Sequence, residues 1–239
     1  MKHKGEKTMP QFEFPAGSTN RPIINTGEEH LPCVLLIDVS GSMSKSEQQL
    51  REAIIAFGEA VREDPQAAGI VEVCIITFAD HARVAVPFGP VSDFEVPEIR
   101  CGGCTAMHEA AALGLRELDA RKVQYKEAGT SYKRPWMFML TDGYPTDGGE
   151  SDEYRNAFNR LVEAQEKKHC TFFSVGIGSD VDIPLLKSLR PDGMTFKASK
   201  EDFLDAFVWL ANSISVTGGS QKGQKVVLPP VPLQITVDA

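Results

Sequence analysis

Short apolar runs alternate with amphipathic stretches along most of this 239-residue chain, and that alternation restricts the possible folds more than any other feature. The runs are rich in β-branched and aromatic residues and too short for helices, so they predict buried strands. The stretches between them place apolar residues at helical spacing. Together they predict an α/β, Rossmann-like fold: a doubly wound, mostly parallel sheet with helices on both faces. The predicted parallel strands lie at residues 33–37, 70–78, 135–140, 171–175 and 194–196.

One predicted strand differs in direction from the others. A tight turn at Ala79-Asp80-His81 joins the second run to residues 83–86. So short a connection predicts an antiparallel hairpin and therefore one antiparallel edge strand. The most common order of strands in doubly wound sheets, 3-2-1-4-5-6, then places the first and fourth strands side by side.

Oxygen-bearing side chains follow the first strand directly, in the sequence Asp38-Val39-Ser40-Gly41-Ser42. Ligands of open α/β sheets bind at the carboxyl ends of strands, where this loop is expected. The alternation lets one carboxylate and two hydroxyls turn towards a common point, and such hard oxygen ligands suit Mg²⁺. A helix N-cap is the alternative interpretation, because Asp and Ser commonly accept the first N–H groups of a helix.

Two further oxygen-bearing residues follow later in the chain. Thr105 comes after the glycines of Cys101-Gly102-Gly103-Cys104 and precedes a predicted helix, and Asp142 ends the fourth strand. The strand order brings Asp38 and Asp142 together at the switch point, with Thr105 on the same rim. Helix capping would not require ligands from three separate loops. Mg²⁺ is therefore the predicted ion, and Mn²⁺ is possible because it accepts the same ligands. The predicted metal ligands are Asp38, Ser40, Ser42, Thr105 and Asp142.

Composition argues against several classes of function and location. The net charge is −8, and no basic block follows the first seven residues, so no nucleic-acid partner is predicted. No run approaches 18 apolar residues, which predicts that no membrane is spanned. The basic N-terminus has no apolar segment after it, unlike a secretory signal. Five scattered cysteines, an odd number, favour reduced thiols and a cytoplasmic location.

The chain is predicted to form one domain between two tails. Residues 1–31 contain Gly, Pro, Asn and charged residues without periodicity, which predicts a flexible N-terminal arm. Residues 32–215 contain all the predicted strands and helices of the domain. Residues 216–239 form a tail rich in Gly, Ser and Pro, in which residues 233–237 could pair as an added strand.

The order and spacing of the five predicted ligands resemble the von Willebrand factor type A (vWA) domain with a metal-ion-dependent adhesion site (MIDAS). The pattern of that family is Asp-x-Ser-x-Ser, a separate Thr after glycines, and a separate Asp that usually precedes Gly, here Gly143. The resemblance covers about residues 32–215. It implies the Rossmann-like vWA fold.

The resemblance also implies a mechanism. Ser40, Ser42 and Thr105 would bind Mg²⁺ directly or nearly so, and Asp38 and Asp142 partly through water. An Asp or Glu carboxylate from a protein partner would fill the open coordination position. The implied function is a non-enzymatic, Mg²⁺-dependent protein-binding module or scaffold.

A narrower resemblance concerns the segment Thr141-Asp142-Gly143-Tyr144-Pro145-Thr146-Asp147, together with the Pro-rich tail. These features are similar to short bacterial proteins associated with tellurite resistance. This similarity implies a scaffold in a stress-response or phosphorylation-linked complex.

Two alternatives involve chemistry instead of binding. A metal-dependent hydrolase or phosphatase could use Asp38 as its nucleophile, although the chain has neither a nucleotide loop nor a Gly-x-Ser-x-Gly elbow. Cys101 and Cys104 depart from the family pattern, and their spacing allows a redox pair or, with His81 and His108, a zinc site. A Cys-x-x-Cys pair at the start of a helix would have a lowered thiol pKa.

Overall fold

The computed structural model describes residues 20–23, 27–148, 151–190, 195–199, 202–220, 224–232 and 236–238. Within these ranges the chain forms one seven-stranded sheet with helices on both faces. The predicted doubly wound, mostly parallel α/β architecture is therefore confirmed. Its strands are β1 (Leu31–Asp38), β2 (Val71–Phe78), β3 (Ala82–Pro90), β4 (Trp136–Thr141), β5 (Thr171–Ile177), β6 (Thr195–Ala198) and β7 (Thr236–Asp238).

The order of the strands determines where the loops meet. Across the sheet the order is β3-β2-β1-β4-β5-β6-β7, which contains the predicted order of the first six strands. β1 pairs in parallel with both β2 and β4, and Ile37 lies opposite Thr77 on one side and Leu140 on the other. The loops that follow β1 and β4 therefore leave the sheet side by side.

Both edges of the sheet are antiparallel. β3 pairs antiparallel with β2, as predicted. β7 pairs antiparallel with β6 at the opposite edge, so the sheet has two antiparallel edge strands instead of the one predicted. The alternating apolar and polar residues 233–237 indicate that a strand could form but not in which direction it would run, so a second antiparallel edge was not predicted. Residues 233–235 of that pattern lie outside the described residues.

Helices cover the sheet from both sides because residues of the buried strands alternate between its two faces. Leu35 and Ile37 face the core beneath α1 and α7, whereas Val34 and Leu36 face the core beneath α3 and α5. None of the helices in the described parts of the chain is both long and apolar enough to span a bilayer. The helices are α1 (Glu47–Glu63), α2 (Pro65–Ile70), α3 (Met107–Glu127), α4 (Asp152–Arg155), α5 (Ala157–Glu166), α6 (Ile183–Ser188) and α7 (Phe203–Gly219).

Part of the predicted N-terminal arm contacts the domain. The Arg21 N–H donates to the Phe88 carbonyl (2.8 Å), and the Phe88 N–H donates to Oδ1 of Asn20 (3.0 Å). These bonds satisfy backbone groups that an edge strand leaves unpaired. β1 also begins at Leu31, within the range assigned to the arm. Residues 1–19 lie outside the described residues.

A buried ionic cluster lies near the amino end of β2. Oε2 of Glu72 accepts hydrogen bonds from Nε of Arg121 (2.7 Å) and from the Tyr125 hydroxyl (2.5 Å). Nη1 of Arg121 donates to the Arg21 carbonyl (2.7 Å). Burial alone would raise the pKa of Glu72, but the nearby His30 ring (Nδ1 to Oε1, 3.2 Å) and the hydrogen bonds from Arg121 and Tyr125 lower it to about 2. The cluster therefore joins the N-terminal segment, β2 and α3.

Candidate metal centre

Asp38 is held in one orientation at the carboxyl end of β1. Its Oδ1 accepts the N–H of Ser40 (2.8 Å), and its Oδ2 accepts the hydroxyl of Thr141 (2.6 Å). The side chain is completely buried. Burial raises the pKa of Asp38, and the nearby Asp142 acts in the same direction, while the hydrogen bonds from Ser40 and Thr141 oppose the shift. A nearby cation would favour the ionised carboxylate.

The helix-cap interpretation of this loop is not realised. Ser40 precedes a 3₁₀ turn, Gly41–Ser46, but its side chain makes no capping hydrogen bond. The Ser40 hydroxyl instead lies 3.1 Å from the Ser42 hydroxyl. Ser42 in turn donates to Oδ1 of Asp142 (2.5 Å). Ser40, Ser42 and Asp142 thus form a continuous chain of oxygen atoms across the ends of β1 and β4.

Thr105 is positioned by the loop that follows β4. Its N–H donates to the Thr146 hydroxyl, and the Thr146 N–H donates to the Thr105 carbonyl, both at 3.0 Å. The Thr105 hydroxyl lies 3.4 Å from the place that a Cβ would occupy at Gly143, the residue after Asp142. The structure therefore brings all five predicted ligands to the same rim of the sheet.

Backbone contacts between the first two loops hold this rim together. The Gly41 N–H donates to the Gly103 carbonyl (3.0 Å), and the Gly102 N–H donates to the Val39 carbonyl (2.8 Å). Gly103 has a φ of +79°, and a Cβ there would lie 2.6 Å from Oδ1 of Asp80. The glycine is required by this backbone conformation and by the close approach of Asp80.

Sequence reasoning missed three residues that support the site. Thr141 orients Asp38, and Thr146 holds Thr105, as described above. Asp147 is buried and accepts the N–H groups of His108 (3.1 Å) and Glu109 (2.7 Å) in the first turn of α3. Thr at a strand end and Asp in a turn-rich loop are ordinary residues, so no pattern in the sequence indicated these roles.

Cys101 does not have the properties of an activated thiol. Burial raises its pKa to about 12, and Glu47 and Asp38 act in the same direction. The pair also precedes α3 instead of starting it, because the helix begins at Met107. The expectation of a thiol pKa lowered by a helix start is therefore wrong for Cys101.

The zinc alternative finds no support in the positions of the histidines. Nδ1 of His108 contacts Asp147 (2.9 Å), and Nδ1 of His81 lies 3.4 Å from Glu109. Throughout the described ranges, no group of three His, Cys, Asp or Glu side chains is arranged to hold a metal ion. A metal centre here therefore depends on hydroxyl ligands in addition to carboxylates.

The five converging residues have a donor set that fits a hard divalent cation. Two carboxylates can balance the charge of the ion, and three hydroxyls add neutral oxygen ligands of the kind Mg²⁺ and Mn²⁺ accept. Ser42 is exposed, whereas the other four residues are buried. A ligand from solvent would therefore reach the site on the side of Ser42. A cleft of about 320 Å³ continues from Ser42 and Asp142 towards Asp180 and Ser199. The arrangement could thus hold a cation and leave it accessible to an external ligand.

Solved structures with a similar fold come from proteins of different kinds. A von Willebrand factor type A protein from Catenulispora acidiphila is 17% identical, with a TM-score of 0.58, and the match covers 79% of this chain and 43% of that one. The pilus adhesin SpaC from Lactobacillus rhamnosus GG is 16% identical, with a TM-score of 0.62 and coverage of 84% and 31%. Proximal thread matrix protein 1 from the mussel byssus, in a structure with a zinc-occupied MIDAS motif, is 15% identical, with a TM-score of 0.54 and coverage of 79% and 48%.

These similarities are at the level of fold. The chain spans less than half the length of each of the three proteins. No curated protein matches the sequence. A family model, however, matches residues 33–209, more than half of the chain and nearly the whole of the predicted domain. The chain belongs to the von Willebrand factor type A domain family.

Proposed function

We propose that this chain is a non-enzymatic binding module that uses a divalent cation to recognise a carboxylate of a protein partner. Asp38, Ser40, Ser42, Thr105 and Asp142 would hold the cation, with Mg²⁺ as the expected ion. An Asp or Glu side chain of the partner would complete the coordination. A carboxylate is favourable there because it meets a hard cation whose other ligands are mostly neutral hydroxyls.

The hydrogen-bonded chain of Ser40, Ser42 and Asp142 is the observation that carries this proposal. The Ser42 hydroxyl lies within hydrogen-bond distance of both the Ser40 hydroxyl (3.1 Å) and Oδ1 of Asp142 (2.5 Å), so oxygens from two loops meet there. So close an approach of oxygen atoms is what a small cation requires of its ligands. The exposed Ser42 marks the side from which a partner would approach.

The similar structures support a binding role. The mussel protein carries zinc in a MIDAS motif, and SpaC is described as an adhesin. We extend both properties to this chain only as part of the proposal. Zinc therefore belongs among the ions to be tested, although the oxygen donor set favours Mg²⁺ or Mn²⁺.

The surroundings of Asp38 argue against the hydrolase alternative. Both of its carboxylate oxygens accept hydrogen bonds, and the side chain is completely buried. An attacking carboxylate must reach its substrate, and a buried, doubly hydrogen-bonded one is poorly placed to do so. We therefore propose binding without bond cleavage.

The setting of this function is also part of the proposal. The similarity of residues 141–147 to tellurite-resistance-associated proteins suggests a bacterial stress-response scaffold in the cytoplasm. The net charge of −8 favours a protein partner over nucleic acid or an anionic membrane surface.

A peptide-display selection tests the proposal and does not require the partner to be identified first. The protein would be immobilised in Mg²⁺, and bound peptides would be eluted with EDTA. We expect the enriched peptides to share an Asp or Glu whose replacement by Asn or Gln abolishes binding. Peptides that bind equally well in EDTA would contradict the proposal.

Two control variants sharpen this selection. Ser42→Ala removes an exposed ligand and should lose the peptides, whereas Ser44→Ala alters a neighbouring exposed serine whose hydroxyl donates to the Gly41 carbonyl in the same turn (2.7 Å). Ser44→Ala should retain them. Hydrolysis of p-nitrophenyl phosphate, measured on the same preparations, should stay at the level of buffer. Metal-dependent hydrolysis that Asp38→Asn removes would favour the phosphatase instead.

A further inference from the structure

The cleft beside the candidate metal centre carries a negative charge that metal binding would leave in place. It has a volume of about 320 Å³, and beyond Ser42 and Asp142 its wall includes Asp180 and Ser199. The side chain of Asp180 is exposed to solvent. Among the described lining residues, no lysine, arginine or histidine balances its carboxylate. A bound cation would compensate Asp38 and Asp142, whereas the charge of Asp180 would still face an incoming ligand.

Two acidic residues close to this wall have structural roles that Asp180 lacks. The side chain of Asp182 accepts a backbone N–H of α6 (2.9 Å) and caps that helix. Oδ2 of Asp202 accepts hydrogen bonds from the hydroxyl (2.7 Å) and the N–H (3.3 Å) of Ser199. Asp180 accepts the hydroxyl of its neighbour Ser179 (3.0 Å), a contact between two exposed residues. These contacts give no structural reason for a carboxylate at position 180.

The loop that carries Asp180 is fixed on both sides of this residue. Gly178 has a φ of +77°, where glycine is favoured, and its N–H donates to the Ala198 carbonyl (2.9 Å). Val181 is buried, and its carbonyl accepts the N–H of Ile183 (3.0 Å). Asp180 is therefore presented at one place on the rim, and binding there requires little ordering of the loop.

The charge of Asp180 discriminates between classes of partner. A compact cleft of this volume is about 8 Å wide, the length of two or three residues of extended chain. Residues that flank the metal-binding carboxylate of a partner would therefore come close to Asp180. Salt screens charges at this separation only in part, so Asp180 would repel a second acidic residue. A lysine or arginine at the same place would form an ion pair with it.

We propose, resting on the function proposed above, that Asp180 selects partners in which the metal-binding Asp or Glu stands within about three positions of a lysine or arginine. The carboxylate of the partner would complete the coordination of the cation, and the basic side chain would lie along the cleft towards Asp180. Segments of consecutive acidic residues would be disfavoured, because their additional charges meet Asp180. The net charge of −8 also favours a partner segment that carries positive charge.

A display library of short peptides with Asp fixed at the centre tests this selectivity. The full chain would be immobilised in Mg²⁺, and bound peptides would be eluted with EDTA and sequenced. Asp180→Asn removes the charge of an exposed side chain, and Asp180→Lys reverses it. Ser179→Ala is the matched control in the same loop, because it keeps the carboxylate and removes the hydroxyl that donates to it. Glu59→Gln removes an exposed carboxylate on α1 that does not line the cleft.

We expect the parent to enrich lysine or arginine beside the fixed Asp and to deplete Asp and Glu there. Asp180→Asn should lose this preference and Asp180→Lys should reverse it, whereas Ser179→Ala and Glu59→Gln should keep it. An enriched peptide would then be synthesised with Gln in place of its basic residue. This change should raise the Kd for the parent at least about threefold and leave the Kd for Asp180→Asn unchanged.

Failure of this selectivity can be distinguished from failure of the proposed function. If EDTA elutes peptides without a basic preference, or if Asp180→Asn retains the preference, the role of Asp180 is overturned while metal-dependent binding stands. If EDTA elutes no enriched peptide from the parent, the proposed function fails, and the role of Asp180 fails with it.

Discussion

Replacement of Thr141 by valine removes one hydroxyl from beneath the candidate metal centre and keeps the shape of the side chain. The hydroxyl donates to Oδ2 of Asp38 (2.6 Å) and accepts the N–H of Gly143 (3.3 Å). Thr141 is completely buried, so water cannot replace the lost donor without rearrangement. The variant therefore tests whether the orientation of Asp38 matters to the site.

Two effects of Thr141→Val can be given magnitudes. A hydrogen bond to a charged group contributes about 1.5–3 kcal/mol, so we expect the free energy of unfolding to fall by about 2 kcal/mol at neutral pH. Loss of a group that orients a metal ligand typically lowers metal affinity about 10–100-fold. Removal of the donor should also raise the pKa of Asp38 further, which should make the loss of affinity greater at low pH.

Urea unfolding and calorimetric titration with Mg²⁺ measure these two effects. Thr195→Val is the matched control: its hydroxyl is buried and has no hydrogen-bond partner among the described residues, so its removal should be neutral or slightly stabilising. On an Asp38→Asn background, Thr141→Val should lower the free energy of unfolding clearly less than it does in the parent. Equal costs on both backgrounds, or an unchanged Mg²⁺ affinity, would refute the assigned role of Thr141.

Two further predictions concern the buried cluster and the glycine loop. Glu72→Gln should lower the free energy of unfolding at pH 7 by about 3–5 kcal/mol in urea titrations, because Arg121 stays buried without its carboxylate. Because the pKa of Glu72 is lowered in the folded protein, its carboxylate stabilises the parent above its ordinary pKa near 4.5, and this stabilisation is lost as the pH falls towards about 2. Glu72→Gln lacks this contribution, so its free energy of unfolding should change less over that pH range. Parallel plots of unfolding free energy against pH for the two proteins would contradict this. Gly103→Ala should weaken calorimetric Mg²⁺ binding at least about fivefold, since a left-handed backbone and the contact with Asp80 both oppose a side chain. Gly102→Ala, where a Cβ would meet nothing within 4 Å, should bind like the parent; equal affinities of the two variants would contradict the argument.

The sequence predicted the framework of the site because strand order follows from general rules. Buried runs and the tight turn after β2 were enough to place β1 beside β4, and the register of Ile37 against Leu140 confirms that placement. Asp38 and Asp142 then follow two neighbouring strands. Their meeting at one rim follows from the strand order alone, whatever path the loops take.

The supporting contacts could not be predicted from sequence. Thr146 and Asp147 belong to a loop without periodicity, and their partners lie about forty residues away in sequence, at separations of 41 and 39. Such pairings depend on how the loop folds over α3, and no local pattern encodes that path. α2 was missed for a different reason: its six residues are too few to show a helical period.

Calorimetric titration of Mg²⁺ into metal-stripped protein tests the central claim most directly. We expect one site in the parent and no measurable binding in Asp142→Asn or Thr105→Ala. Glu59→Gln, which removes an exposed carboxylate on α1, should bind like the parent. The absence of binding of Mg²⁺, Mn²⁺ and Zn²⁺ to the parent, or unchanged binding in Asp142→Asn and Thr105→Ala, would contradict the account.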